Sequence, residues 1–451
     1  MTLPTGVERE PARRLMLLPR SMNQSSDTRG VLLPLSSLFL GVGLLVVGVG
    51  LLFSVVGLRA GMANFSGITL GLVMSAYYVG FVVGTYVCPL VIRRVGHIRA
   101  FAAMASVAST MPIFHAMWVD PWFWGALRLV TGVCLVGLYM AMESWLNTVA
   151  PAAQRGKVFG AYMTVNFVAL ALGQWLILVG DRLGFVPFAM VSVMFSLALI
   201  PITLTAVDEP EPVPAPRLSL RNLYNASPLG VASVFASGIL SGAFFGMGAS
   251  YAQGVGLDDS NVASFMAATI LGGALFQWPV GHYSDTHDRR VVLAWVSTVA
   301  AALAVAAYFA PQVWPVSLMW IGLAYGGMIF AIYGLAVAHV NDVIDSSRLL
   351  EFTGGLLLVH GAGSALGPTL AGLMMDSLGA ASLMLFFAAV LVALALFTLK
   401  RMRAAAPIPT EAKAEFVLMG GGSQAVLQMD PRAQPTDDDA SAPAPASAQP
   451  G

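Results

Sequence analysis

VDEPEPVPAPRLSLRNLYNASP, residues 207–228, decides the fold. Asp208, Glu209 and Glu211 alternate with Pro210, Pro212, Pro214 and Pro216 ahead of Arg217 and Arg221, and such a segment cannot enter lipid. On each side of it the sequence turns into long apolar runs separated by short polar loops. Before it they lie near 32–58, 68–92, 98–118, 121–146, 156–180 and 184–206; after it, near 229–252, 259–282, 290–309, 313–339, 349–375 and 380–400. Each approaches or exceeds the roughly 20 residues a helix needs to cross a bilayer core. Continuous runs rich in Ala, Leu, Gly and Val exclude a barrel, whose strands are short and alternate. The expectation is an all-α integral membrane protein: twelve transmembrane helices in two pseudo-symmetric six-helix bundles, 31–206 and 229–403, joined by a 207–228 linker.

Charge supplies the orientation. Of the 23 Lys and Arg, only Arg59, Arg128 and Arg182 fall outside one side of this ladder. The others occupy the first 30 residues, alternate loops, the linker, and the stretch from Lys400 onward. Cytoplasmic loops carry the basic excess in membrane proteins, so the linker and both termini are expected in the cytoplasm of a cell inner-membrane protein. Residues 1–30 have no small-residue cleavage site and read as a tail rather than a secretory signal. Residues 404–451 are rich in Pro, Ala, Ser and Asp without apolar periodicity, and are expected to be disordered.

A chain that is 57% hydrophobic and 10% charged is not a soluble globule, in which charged residues make up roughly 25%. Zero net charge excludes a basic nucleic-acid surface. Cys88 and Cys134 lie inside apolar runs and read as buried thiols. No cofactor or metal is expected: His339 and Asp342 have a helical metal spacing, but no second cluster completes it. A monomer in contact with lipid is the simplest assembly.

The halves repeat. QRGKVFGAYMTVNFVALALGQWLILVGDRLG (154–184) can be laid on SRLLEFTGGLLLVHGAGSALGPTLAGLMMDSLG (347–379), so that Arg155 meets Arg348, Phe159 meets Phe352 and Leu183-Gly184 meets Leu378-Gly379. The matches include loop charges as well as apolar letters. Such duplication belongs to transporters that open alternately to either side.

With the twelve runs in view, several motifs resemble the major facilitator superfamily over about residues 31–403. GHYSDTHDRR (281–290) is similar to the family's cytoplasmic loop signature through Gly281, Asp285, Arg289 and Arg290, with Asp288 where a second Gly is usual. PLVIRRVGHIR (89–99) keeps Arg94, Gly96 and Arg99 of the equivalent first-half loop but has Arg93 at the acidic position. RLVTGVCLVG (128–137) is similar to the family's span-four pattern and QRGKVFG (154–160) to its entry into span five. GSALGP (363–368) is like an exporter element, here in span eleven instead of span five, which leaves the direction of transport open. Within the family the chain looks most like an uncharacterised bacterial branch near sugar- and drug-efflux members.

The resemblance implies a latch between the halves on the cytoplasmic side. With Arg93 in place of an acid the polarity is expected to reverse, so that Arg93 or Arg94 reaches Asp342, Asp345 or Glu351 in at least one conformation. Asp285 is expected to face the start of span five, where the helix dipole and Arg155 favour an anion. Ordinary positive-inside loop charges are the plainer reading.

Glu143 is the embedded acid of the first half, and a charge at a helix centre costs roughly 2.5–3.5 kcal/mol, so it is a functional candidate. Burial and the helix C-terminal dipole both oppose its ionisation. Tyr139, four residues earlier, shares its face. The plainer reading has Glu143 snorkelling or binding Arg155 or Lys157. Arg128 lies fifteen residues before it, about 22 Å along the helix, too far for a direct pair; a coupling role competes with snorkelling to the far headgroups. His360 in span eleven and Tyr333 in span ten are candidate cavity residues, with core packing as the alternative. Asn166, Gln174 and Gln277 could contact a ligand or tie helices together, and the tie is the favoured reading.

Nothing resembles a phosphate-binding loop, so ATP does not drive the protein directly. Dispersed embedded groups argue against an enzyme. The expected function is a secondary active transporter of a small neutral or lipophilic solute, proton-coupled through Glu143. Facilitated diffusion on the same fold and a transport-fold membrane sensor are the alternatives.

Overall fold

The computed structural model describes residues 28–151, 154–181, 184–204, 210, 220–314, 316–344, 349–404, 413 and 416. Its helices are α1 (Thr28–Met62), α2 (Gly67–Val95), α3 (His97–Met117), α4 (Pro121–Val149), α5 (Arg155–Trp175), α6 (Val186–Thr203), a short α7 (Leu220–Ala226), α8 (Pro228–Gly254), α9 (Asp259–Thr286), α10 (Arg289–Val313), α11 (Ser317–Asn341), α12 (Leu349–Leu378) and α13 (Ser382–Ala404). The 12 long ones are apolar enough to cross a membrane. They coincide with the twelve runs, and α8–α13 are the seventh to twelfth spans. Boundaries shift by a few residues: α1 continues to Met62 and takes Arg59 into its last turn, and α9 and α10 run on to Thr286 and Val313.

Local chemistry sets the ends. The side chains of Ser66, Asp120, Ser227 and Asp258 each accept a backbone N–H from the first turn that follows. Pro121 and Pro228 stand where the helix has no use for a donor. Gly96, at φ 84°, makes the sharp turn from α2 into α3. Of the expected linker, α7 is helical, and most of 207–219 lies outside the described residues.

The two halves pack alike. In the first, α2 lies on α4, α1 on α5, and α3 on α6; in the second, α9 lies on α11, α8 on α12, and α10 on α13. The repeat extends to single glycines. A methyl added at Gly132 of α4 would strike the Tyr77 carbonyl of α2, and one at Gly326 of α11 would strike the Thr269 carbonyl of α9. These helices touch backbone to backbone, as small residues permit in membranes.

Between the halves, α2 runs antiparallel to α12 and α5 to α9, both tightly joined at the end remote from the linker. There Gly67 N and Ile68 N donate to Asp376, at 2.5 and 2.8 Å, and Ser75 Oγ lies 2.8 Å from Thr369 Oγ1. Trp175 Nε1 donates to Ser264 Oγ at 3.3 Å, and Phe167 lies against Gly273. At the linker end Leu90, Val91, Arg93 and Arg94 of α2 are exposed, as are Gly156 and Lys157 of α5.

Candidate functional site

Between the bundles lies a cavity of about 1340 Å³, counting its open mouth, with walls from α1, α2, α4, α5, α8, α11 and α12. Its lining is largely apolar and rich in aromatic rings. Phe53 of α1 meets Tyr77 of α2 edge-on at 5.0 Å and Phe245 of α8 at 5.8 Å; Phe330 of α11 then meets Phe245 at 5.7 Å and Phe167 of α5 at 5.9 Å. This belt of rings crosses from one bundle to the other and back. Between the rings stand a few polar groups, among them Asn166, Ser241 and Ser364. The Ser237 hydroxyl, also in the lining, is buried without a hydrogen-bond partner among the described residues. A concave apolar site with sparse polar groups fits a small organic ligand.

Three of the sequence candidates line this cavity: Tyr139, Tyr333 and His360, with the last two rings in edge contact at 4.9 Å. Glu143 does not. It is wholly buried in α4 behind the wall, and the Tyr162 hydroxyl of α5 donates to its Oε1 at 2.6 Å. Tyr162 itself faces the cavity, so one hydroxyl separates the carboxyl from the ligand space. That placement leaves no room for snorkelling. Asn166 Nδ2 donates to the Tyr162 carbonyl at 2.8 Å, one turn back on its own helix, rather than tying two helices together. Gln174 does tie helices, accepting from Ser54 and donating to Gly50 O at 3.0 Å.

Arg128 is buried too, which removes the snorkelling alternative. Its guanidinium sits 4.6 Å from the Phe53 ring and 4.8 Å from the Tyr77 ring. Nη2 reaches Met74 Sδ at 3.5 Å, and Nε has no partner among the described residues. Cation–π contact with two desolvated rings supplies part of what an acid would.

The linker-end charges arrange themselves differently from the expected latch. Arg289 pairs with Asp285 at 3.1 Å and with Asp342 at 2.6 Å, and it donates to Ser284 Oγ at 2.8 Å. Asp285 is therefore engaged within its own bundle instead of facing Arg155. Asp342, one of the acids expected to receive Arg93 or Arg94, is occupied by Arg289. Neither Arg93 nor Arg94 makes an ion pair among the described residues; both are exposed. The side chain of Glu351 and residue Asp345 lie outside the described residues. Arg290 pairs with Asp288 at 2.8 Å. Partial burial works against that carboxylate, but the Arg290 side chain and amide outweigh it and hold Asp288 below its ordinary range.

Most of the 404–451 tail, expected to be structureless, lies outside the described residues. Lys413 and Phe416 do make contacts: Lys413 Nζ donates to the His287 carbonyl at 2.6 Å, and the Phe416 ring lies against Gly281 and Gly334. Tyr162 and the aromatic belt escape a reading of the sequence. A Tyr at a helical face is ordinary core material unless its partner is known, and Glu143 lies 19 residues away on another helix.

The Major Facilitator Superfamily profile matches residues 229–446. The chain is 27% identical to the uncharacterized MFS-type transporter Ent638_1421 of Enterobacter sp. (strain 638), over 76% of this chain and 89% of that one. It is 26% identical to the uncharacterized MFS-type transporter YcaD of Salmonella newport (strain SL254), over 78% and 91%. In fold it resembles a mutant of the nucleoside transporter NupG, with TM-score 0.72, 14% identity, and coverage of 82% of this chain and 100% of that one. It also resembles a bacterial homolog of the human lysosomal transporter Spinster in an inward-facing, unoccupied conformation, with TM-score 0.69, 16% identity, and coverage of 86% and 99%.

Proposed function

Because the chain belongs to the major facilitator superfamily, we propose that this multi-pass inner-membrane transporter moves a small neutral or lipophilic solute by alternating access, with Glu143 carrying the coupling proton. It is not an enzyme. The observation that carries the reading is the Glu143–Tyr162 pair: a buried carboxyl, one hydroxyl away from a cavity walled by both bundles. A group so placed senses whether the cavity is wet or filled, which is what coupling requires. Among the described residues the lining offers ring faces and hydroxyls and no charged side chain, which suits a flat or lipophilic neutral ligand.

The basic linker end is assigned to the cytoplasm by its Lys and Arg excess. On that assignment the bundles are closed outside and open inside. Carrying the α5–α9 pairing toward the cytoplasm, where each step along α9 is matched by one back along α5, brings Asp285 opposite Arg155 and Gly281 opposite Phe159. The latch residues Arg93, Arg94, Arg155, Asp285 and Glu351 thus belong to the opposite, inward-closed state.

Gradient-driven uptake in proteoliposomes, screened over neutral sugars, nucleosides and aromatic drugs, tests the reading. Glu143→Gln is expected to abolish accumulation driven by an imposed proton gradient while solute exchange continues. Accumulation that survives in Glu143→Gln removes Glu143 from coupling; transport indifferent to the gradient in the native chain leaves facilitated diffusion.

A further inference from the structure

The socket that holds Phe416 lies on the cytoplasmic half of α9 and α11, at Gly281 and Gly334. Both glycines are buried. A methyl built on Gly281 would overlap the ring, and one on Gly334 would come within 2.9 Å of the ring edge, so the ring rests directly on two helix backbones. Gln277, one turn from Gly281, stands 3.5 Å from the same Gly334 position. Three residues before Phe416, the Lys413 ammonium donates to the His287 carbonyl at the C-terminus of α9. A cation is favoured there by the helix dipole, and Lys413 also supports the charge of neighbouring Asp288. Lys413 and Phe416 are therefore two anchors of different chemistry, one a charge-assisted hydrogen bond and one an aromatic ring, at the end of α9 and on its flank.

The socket also lies on the path of closure. Continued in register, the α5–α9 contact sets Gly281 against the Phe159–Gly160 turn of α5, and Gly160 has nothing within 4 Å of the position a side chain would take. Two glycines meeting there would let the helices touch as closely as Gly326 and Thr269 do. With the Phe416 ring on Gly281 they cannot.

We propose that Lys413 and Phe416 act as a wedge in which Phe416 occupies the seat of α5 on α9, holding the transporter open to the cytoplasm until the two are withdrawn. This inference rests on the alternating-access reading. Phe416 is only partly buried, so its loss is expected at the low end for an aromatic side chain: about tenfold toward the inward-closed state, equivalent to about 1.4 kcal/mol.

The test is the distance distribution between spin labels at Lys157→Cys and His282→Cys in the full chain in lipid. Both positions are exposed, and the native Cys88 and Cys134 are buried. Phe416→Ala and a chain ending at Ala404 should both raise the short-distance fraction about tenfold, and Lys413→Ala should raise it less. A synthetic peptide of residues 409–420 should reverse the effect on the shortened chain, and its Phe416→Ala version should not. A native chain with two distances and a Phe416→Ala variant with the same proportions would overturn the wedge while leaving alternating access standing. One unchanging distance in every variant, with and without a proton gradient, would overturn both.

Discussion

The contact of Asp376 with α2 should act as the outer gate's lock. Its carboxylate, on the C-terminal bundle, accepts from Gly67 N at 2.5 Å and Ile68 N at 2.8 Å, the first two amides of a helix in the other bundle. Ser66 caps Thr69 N of the same helix, at 3.2 Å, from within the N-terminal bundle. Losing an Asp that satisfies first-turn amides costs roughly 0.5–2 kcal/mol. Asp376 is exposed, and water takes over part of its role when the gate opens, so a value near 1–2 kcal/mol is an upper range. If the proposed alternating access confines this contact to an outside-closed state, Asp376→Ala should move the equilibrium toward outside-open by about 5-fold and at most about 30-fold. The assay is the rate at which a membrane-impermeant maleimide, added outside, labels Ser241→Cys in the cavity. Ser66→Ala is the control: it weakens the same helix start in both states and should leave the labelling rate unchanged. An unchanged rate in Asp376→Ala, or an equal rise in Ser66→Ala, refutes the reasoning.

Tyr162→Phe removes the donor to Glu143 while keeping the ring, and should cut gradient-driven accumulation about tenfold by leaving a buried carboxyl oxygen without its hydrogen bond; accumulation equal to that of the native chain tells against the wiring. Phe245→Ala interrupts the belt between Phe53 and Phe330, and should weaken binding of an aromatic solute by about 0.5–1.5 kcal/mol beyond the area lost, measured by competition. Asp288 has its folded-state proton affinity lowered, so its support for the start of α10 is complete above the free-carboxylate value of about 3.9 and fades as pH falls below it. Asp288→Asn should therefore leave the pH dependence of transport between pH 5 and 8 unchanged, and a shifted profile in that range would count against this assignment.

Apolar run length, loop charge and the duplicated 154–184 and 347–379 segments make the fold legible in the sequence, because lipid permits few solutions for a backbone. Glu143 and Arg128 stand out for the same reason, as charges where none is cheap. Their partners do not. Tyr162 and Phe53 come from other helices, and nothing local in sequence says which faces will meet. The pairing of Asp285 with Arg289 is available from their four-residue spacing, but the family resemblance draws attention to the other bundle, a contact that the proposed function places in a different conformation. Phe416 is hidden by its surroundings: a single aromatic in a polar, Pro-rich tail carries no periodic signal, and its seat consists of glycines, which announce space only once the helices are assembled.

Arg128 stands behind the ring wall with no carboxylate opposite it among the described residues. A lining can therefore be neutral in every side chain it shows and still present a positive potential. At about 8 Å and an effective dielectric constant of about 20, a fixed guanidinium repels a monovalent cation by roughly 2 kcal/mol. Cationic dyes and quaternary ammonium compounds, which ring faces alone would attract, would be turned away here by a charge they never touch.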